Sequence, residues 1–217
     1  MSSRSGRQRT AAPSCLVFAA LRLRRRHAST TPVGGSRALR TVATLRSTRA
    51  NAEGDMHAYK GITLRQPMAM LIMAGIKDVE NRFLKVTYRG PLLIHVSRTT
   101  TDIDPHAWGP HTRAAMKTLG FDANDADCGA RLKAKLTPTL GHVVGVVDLV
   151  DVVDNSRSKW ASRDSEAHWL IRNPRALLEP FEAPGNTSMV NFATKEPIRL
   201  VDGSVLPAHD AGAAVAV

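Results

Sequence analysis

The sequence predicts an α+β fold, in which a small, partly closed β-barrel packs around one buried helix. Three observations support this prediction: short β-runs separated by turn residues, one helix that is apolar nearly all round, and no internal repeat within 217 residues. Several short strands with a single buried helix are typical of small barrels of the α+β class. Strands are expected at residues 62–65, 92–96, 143–153, 168–171 and 197–201.

The first strand and the buried helix follow each other directly. Residues 62–65 favour a strand, and Pro67 suits the start of a helix because its ring presets the backbone and the missing N–H is not needed there. The helix is expected over residues 68–74, and Gly75 ends it. Its side chains are apolar on nearly every side, so we expect the helix to be deeply packed.

The middle of the chain changes from extended segments to a long polar one. Residues 77–88 predict a strand or an extended arm, and residues 92–96 predict a buried strand. Residues 99–141 are polar and contain two helical patterns, at about 105–119 and 127–135. Long connections of this kind are usually surface insertions, so we interpret this segment as a helical insertion.

The strongest β-run of the chain covers residues 143–153, and Gly145 within it is a plausible position for a bulge. A further strand is expected at residues 168–171. Asn173 and Pro174 follow it and are expected to end it, because proline cannot donate a ladder hydrogen bond.

Positive charge is concentrated at the N-terminus. Residues 1–55 contain eleven arginines and only two acids, Glu53 and Asp55, so they account for +9 of the formal net charge of +11. An Arg-, Ser- and Thr-rich segment with an apolar patch and almost no acids is typical of a mitochondrial matrix presequence. A disordered basic tail that binds nucleic acid is the alternative.

These patterns predict the domain organisation. Residues 1–55 are expected to be a targeting presequence and linker, residues 56–205 the folded domain with its insertion at about 99–141, and residues 206–217 a flexible tail. The expected location is the mitochondrial matrix, or the cytoplasm if translation starts at Met56. With only Cys15 and Cys128, the chain has no disulfide framework, which fits a reducing compartment.

Four ordered blocks of sequence carry a family resemblance. They are ITLRQP with AGIKDVENR (62–67 and 74–82), YRGPLLIHVS (88–97), GVVDLVD (145–151) and HWLIRNPR (168–175). The first block contains the pattern G-x-K-x-x-E-x-R, and the blocks together resemble the ASCH family. The resemblance implies a β-barrel similar to the PUA domain of RNA-modifying proteins, and RNA or nucleotide binding in a cleft beside the signature helix.

Three charged residues of the signature are candidate ligand contacts. Lys77 follows the end of the helix, where its ammonium can act as a base or anchor a phosphate; a solvated lysine without a role is the alternative. Glu80 and Arg82 share a face if their segment is a strand. They can then present an acceptor to a base edge and a bidentate donor to a phosphate, or they can form a structural ion pair.

Four residues on neighbouring segments complete the expected cleft. Arg65 and Gln66 precede a helix N-terminus, where an anion contact is natural and where Gln66 could read a base edge; capping and packing are the alternative. His95 and Ser97 are two apart on a strand and therefore point to one face. They are ligand contacts if that face is the mouth of the barrel.

Aromatic and metal-binding candidates are weaker. Trp160, if exposed, could stack on an unpaired base, whereas Trp169 is expected in the core. His106 and His111 are five residues apart, which departs from the helical spacing of metal ligands, and no cysteine accompanies them. We expect no metal and no cofactor.

The resemblance leaves enzyme and binding protein open. Some small ASCH members hydrolyse the acetyl amide of N4-acetylcytidine with a lysine and a threonine three residues later, and here Glu80 occupies the threonine position. An enzyme would therefore have to use Lys77 and Glu80 as catalytic residues around a water. The leading expectation is an RNA- or nucleotide-binding protein acting on mitochondrial RNA, without a membrane partner. A protein-interaction or coactivator-type domain is the third possibility.

Overall fold

The structure, a computed structural model, describes residues 56–208, and the predicted presequence lies outside this range. Within it, six strands form one mixed sheet and a few helices cover part of the sheet, so the α+β class is confirmed. The strands are β1 (His57–Leu64), β2 (Val79–Arg82), β3 (Gly90–Val96), β4 (His142–Val153), β5 (Ala167–Glu182) and β6 (Val190–Thr194).

The strand order is β2-β5-β4-β3-β1-β6. β1 and β3 are parallel, while the other neighbouring pairs are antiparallel. The sheet of the described residues does not close, because β2 and β6 remain its two edges. The predicted barrel is therefore not confirmed.

The helix after the first strand, α1 (Met68–Met73), is buried as predicted. Its C-terminus has the hydrogen bonds of a Schellman motif: Gly75 N–H donates to the Ile72 carbonyl at 2.9 Å, and Ile76 N–H donates to the Leu71 carbonyl at 3.0 Å. Gly75 has a φ of 70°, a left-handed conformation that a side chain would strain. The helix therefore ends where the signature segment begins.

The polar segment between β3 and β4 contains the two predicted helices. α2 (Pro110–Thr118) is shorter than predicted, and α3 (Cys128–Leu136) is displaced by one residue. Three short 3-10 turns accompany them, at Thr101–Ile103, Pro105–Ala107 and Thr137–Thr139. α1 lies between the sheet and these helices: Ile72 and Met73 pack in the sheet core, while Met70 and Leu71 pack with the apolar residues of α2 and α3.

Two strand predictions are wrong. The strand after residue 168 does not stop at Asn173 and Pro174 but continues to Glu182 as part of β5. Its pairing with β4 contains register shifts, and Asn173 has a φ of 51°, so irregular pairing accommodates the proline. The last strand is β6, not residues 197–201, which contribute only isolated bridges through Arg199 and Leu200.

The predicted bulge at Gly145 is confirmed by shifts in the pairing of β4 with β5 at this residue. A Cβ on Gly145 would stand 2.8 Å from the backbone oxygen of Arg175 and closer still to the Met73 side chain. Only glycine allows α1 and β5 to approach β4 this closely. Within residues 56–208, none of the helices has the length and apolar character that a membrane crossing requires.

Candidate functional site

A cleft with a volume of about 850 Å³ opens beside α1 and the signature strand β2. Its walls come from the ends of β1 and β3, from β2 and the residues after it, and from the loop between β5 and β6. The lining residues used below are Thr63, Arg65, Glu80, Arg82, Phe83, His95, Ser97, Arg98, Asp102, Trp169, Gly185, Asn186 and Thr187.

The signature side chains form a chain of ion pairs on one wall of the cleft. Lys77 Nζ lies 2.8 Å from Glu80 Oε2 and also donates to the Val79 carbonyl. The second carboxylate oxygen, Oε1, lies 3.4 Å from Arg82 Nε. Side-chain exposure is 4% for Lys77, 13% for Glu80 and 16% for Arg82, so the whole chain of charges is largely shielded from water. Glu80 is thus fixed from both sides.

Arg82 joins three parts of the cleft. Its two terminal nitrogens donate to backbone carbonyls, Nη1 to Thr187 at 2.8 Å and Nη2 to Thr63 at 3.1 Å. Its guanidinium also stands over the ring of Trp169, 5.7 Å from the ring centroid. Arg82 therefore connects β1, β2 and the β5–β6 loop, which is a positioning task.

Trp169 forms the floor of the cleft although it is only 2% exposed. It is opposite Glu80 in the β2–β5 ladder, so both side chains leave the sheet on the same face. The indole N–H donates to the Leu84 carbonyl at 3.0 Å, which fixes the ring. The prediction that Trp169 belongs to the core is confirmed, and the residue also lines the cleft.

Thr63 and His95 hold the loop between β5 and β6 in place. The Thr63 hydroxyl accepts from the Asn186 N–H at 2.9 Å and lies 3.1 Å from His95 Nδ1. His95 Nε2 lies 3.0 Å from the Ala183 carbonyl, which can only accept, so this nitrogen carries the hydrogen. Burial lowers the pKa of His95 below its ordinary value of 6.5, which favours the neutral ring with Nδ1 accepting from Thr63.

The outer rim of the cleft is charged and exposed. Arg65 pairs with Asp102 at 3.4 Å, with exposures of 62% and 45%, and Arg98 pairs with Glu182. Phe83 stands at the same rim with 74% of its surface exposed. Water, and not another protein group, covers most of this ring, so a flat ligand can stack on it.

The structure brings together five of the eight residues predicted for ligand contact. Arg65, Glu80, Arg82, His95 and Ser97 all line the cleft, and His95 and Ser97 do share a face as predicted. His95 nevertheless sits deep, since it is only 1% exposed and both ring nitrogens have protein partners.

The other three predicted residues are not in the cleft. Gln66 is fully buried and caps α1, where its Oε1 accepts from Met70 N–H at 3.1 Å. Trp160 is buried under the helical insertion, where its indole N–H donates to the Ile76 carbonyl, so it cannot stack on a base there. Lys77 reaches the cleft only through Glu80. Hydrogen bonding explains all three positions, because a buried polar group needs a partner.

Several cleft residues were not predicted from the sequence. Thr63 lies between the two apolar residues of the first strand pattern, Ile62 and Leu64, and nothing in that pattern indicates that its hydroxyl holds a distant loop. The β5–β6 loop, with Gly185 and Asn186, meets β1 through contacts more than a hundred residues apart in sequence. Phe83 could have been found, because it directly follows the signature at a position where a strand is ending.

Among residues 56–208, no group of three or more His, Cys, Asp or Glu side chains is placed to hold a metal ion. The expected absence of a metal stays a prediction. The ion-paired and hydrogen-bonded cleft residues fit recognition of a polar organic ligand by hydrogen bonds and stacking.

Comparison with known proteins agrees with this geometry. No curated protein matches the chain. The family model described as the ASCH domain matches residues 62–189, which is more than half of the 217 residues and includes the end of β1, the signature and the β5–β6 loop up to Met189. The chain therefore belongs to the ASCH domain family.

Proposed function

We propose that this protein binds RNA by accepting one unpaired nucleotide in the cleft of its ASCH domain. The observation that carries the proposal is the cleft itself, whose volume of about 850 Å³ is within the usual range for small-molecule sites, roughly 300 to 1,000 Å³. It combines an indole floor, an exposed ring at the rim and fixed charged groups. The PUA-like character of the family supports the same function.

Each part of a nucleotide has a suitable partner in the cleft. The exposed ring of Phe83 can stack on a base, and base stacking on aromatic rings is tolerant of sequence. The carboxylate of Glu80 can accept from hydrogens at a base edge. Arg65 and Arg98 at the rim can exchange their exposed carboxylate partners for phosphate oxygens.

The charge distribution favours single-stranded over double-stranded RNA. Outside residues 1–55 the chain carries only +2 of its net charge of +11, too little for a broad duplex-binding face. Most arginines around the cleft also have acidic partners. Recognition would therefore depend on a local pocket, which requires the base to be unstacked.

Amide chemical-shift mapping tests this proposal. The full-length ¹⁵N-labelled protein is titrated with a short single-stranded RNA and, separately, with a fully paired duplex of the same length. We expect shifts at Thr63, Phe83, Ser97 and Asn186 with the single strand, persisting at a salt concentration that removes nonspecific binding. Shifts confined to residues 1–55, or equal cleft shifts with the duplex, would contradict it.

A hydrolase acting on a modified nucleoside is the second candidate, and the contact between Lys77 and Glu80 favours it. A lysine and a carboxylate in direct contact could serve as an acid/base pair around a water. The low exposure of Lys77 and its second bond to the Val79 carbonyl favour the binding function instead. Turnover of N4-acetylcytidine that disappears in Lys77→Ala, read by chromatography, would decide for the enzyme.

We further propose that the protein acts on mitochondrial RNA, on the basis of the arginine-rich, acid-poor composition of residues 1–55. A cytoplasmic form starting at Met56 would lack this segment. A protein-interaction role without RNA is the remaining alternative, and it predicts no RNA-induced shifts in the cleft.

A further inference from the structure

Two carboxylates line the cleft, and they differ in depth and freedom. Asp102 lies at the rim with a side-chain exposure of 45%, a long contact with Arg65 and a hydrogen bond from the Thr101 hydroxyl. Glu80 lies inside with an exposure of 13% and is fixed by Lys77 on one oxygen and by Arg82 on the other. A group fixed before binding can discriminate between ligands, because it does not move to accommodate a poor partner.

The Glu80 carboxylate lies between two cations, and a carboxylate only accepts hydrogen bonds. Its two oxygens offer about four acceptor sites in total. Lys77 uses one of them through a hydrogen bond of 2.8 Å, while the contact with Arg82 at 3.4 Å lacks hydrogen-bond geometry at Nε. Glu80 therefore has acceptor capacity left for a ligand.

The donor groups nearest to Glu80 either have protein partners or are buried. Lys77 is buried behind the carboxylate, and both terminal nitrogens of Arg82 donate to backbone carbonyls. Arg82 Nε makes no hydrogen bond, but it is buried. A base that enters beside Trp169 thus meets the Glu80 carboxylate as an acceptor at this wall, while Lys77 and Arg82 Nε are buried and the terminal nitrogens of Arg82 have protein partners. The wall is complementary to a base edge rich in hydrogens and opposed to an edge rich in carbonyl oxygens.

We propose that Glu80 makes the cleft selective for unpaired bases with amino and imino hydrogens on their pairing edge, guanine most strongly and uracil least. This inference rests on the proposed function of the same cleft. Guanine presents an N–H and an amino group side by side, which match the two oxygens of a carboxylate. Adenine and cytosine present one amino group each. Uracil has one N–H between two carbonyl oxygens, which the carboxylate repels.

Mononucleotides test the selectivity without altering the protein. Dissociation constants of the full-length protein are measured by calorimetry for GMP, CMP, AMP and UMP, which share the same phosphate. We expect GMP to bind roughly 5- to 150-fold more tightly than UMP, the range expected for one well-formed bidentate contact. IMP, which lacks the amino group, and 1-methyl-GMP, which lacks the N–H, should each lose most of this advantage.

Substitution of the residue itself gives the second test. Glu80→Gln replaces one acceptor oxygen with an NH₂ donor. The ratio of the affinity for GMP to the affinity for UMP should therefore fall at least fivefold, about the lower limit for one bidentate contact. Asp154→Asn is the matched control, because it neutralises an exposed acid that pairs with Lys85 and does not line the cleft. The control should keep the wild-type ratio.

The outcomes separate the two proposals. Equal affinities for all four mononucleotides, with shifts in the cleft, would overturn base selection and leave nucleotide binding intact. No binding of any mononucleotide would overturn both. If Glu80→Gln does not fold, the comparison of GMP with IMP and 1-methyl-GMP on the wild-type protein decides alone. Loss of the GMP affinity advantage for both IMP and 1-methyl-GMP supports the inference. Affinities of IMP and 1-methyl-GMP equal to that of GMP contradict it.

Discussion

Two groups of ion pairs between basic and acidic side chains lie at the cleft, and they differ in burial. The inner group joins Lys77, Glu80 and Arg82, with side-chain exposures from 4 to 16%. The outer group pairs Arg65 with Asp102 and Arg98 with Glu182, with exposures from 45 to 68%. Burial decides how easily a charge can change its partner.

This difference implies a division of tasks. Exposed ion pairs contribute about 0 to 1 kcal/mol to stability, so a phosphate can replace the carboxylate partner with little loss. A buried pair that loses one member leaves an uncompensated charge, which costs on the order of 3 to 5 kcal/mol. We infer that the outer arginines capture the ligand and that the inner group gives the cleft its fixed shape.

The largest effect is expected from Lys77→Ala. The substitution leaves the Glu80 carboxylate without its ammonium partner and the Val79 carbonyl without its donor. The free energy of unfolding, measured by urea denaturation, should fall by about 3 kcal/mol. Lys85→Ala, which breaks the exposed pair with Asp154, is the control and should change it by less than about 1 kcal/mol. Equal effects would remove the distinction between inner and outer pairs.

A smaller effect on stability, with a clear effect on binding, is expected from Arg65→Ala. Its pair with Asp102 is exposed, so the free energy of unfolding should change by less than about 1 kcal/mol. Single-stranded RNA should bind more weakly, and the slope of log affinity against log salt should become shallower by about 0.7, the value for one phosphate contact on a single strand.

Arg163→Ala provides the comparison for this prediction. Arg163 is also exposed, but it does not line the cleft. Its substitution should leave the salt slope unchanged. An equal change of slope in both variants would mean that phosphate binding is not localised at the cleft rim.

The sequence predicted the local structure of the cleft better than its contacts. The apolar residues of α1 and the glycine after it predict a buried helix with a defined end, because these are properties of neighbouring residues. The ordered blocks predicted the family, which the match over residues 62–189 confirms. For residues 77–88 the sequence left a strand and an extended arm open, and the strand is confirmed for the part that carries Glu80 and Arg82.

What the sequence did not predict depends on distant parts of the chain. The loop that lines the cleft is held by Thr63 and Arg82, whose partners Asn186 and Thr187 lie more than a hundred residues away. The polarity of Gln66 suggested a ligand contact, but its hydrogen bonds within the core use the amide. β6 was missed because its five residues, VNFAT, do not form a strong apolar pattern.

Substitution of Phe83 tests the central claim, that this cleft holds an unpaired base, most directly. Phe83 is 74% exposed, so Phe83→Ala should leave the fold intact, and Leu178→Ala, exposed by 50% and outside the cleft, is the matched control. Anisotropy of a labelled single-stranded RNA on the full-length proteins should show binding weakened by about 1 to 3 kcal/mol in Phe83→Ala, the value of one stacked base. It should be unchanged in Leu178→Ala. Equal affinity of Phe83→Ala and wild type would contradict stacking at the cleft.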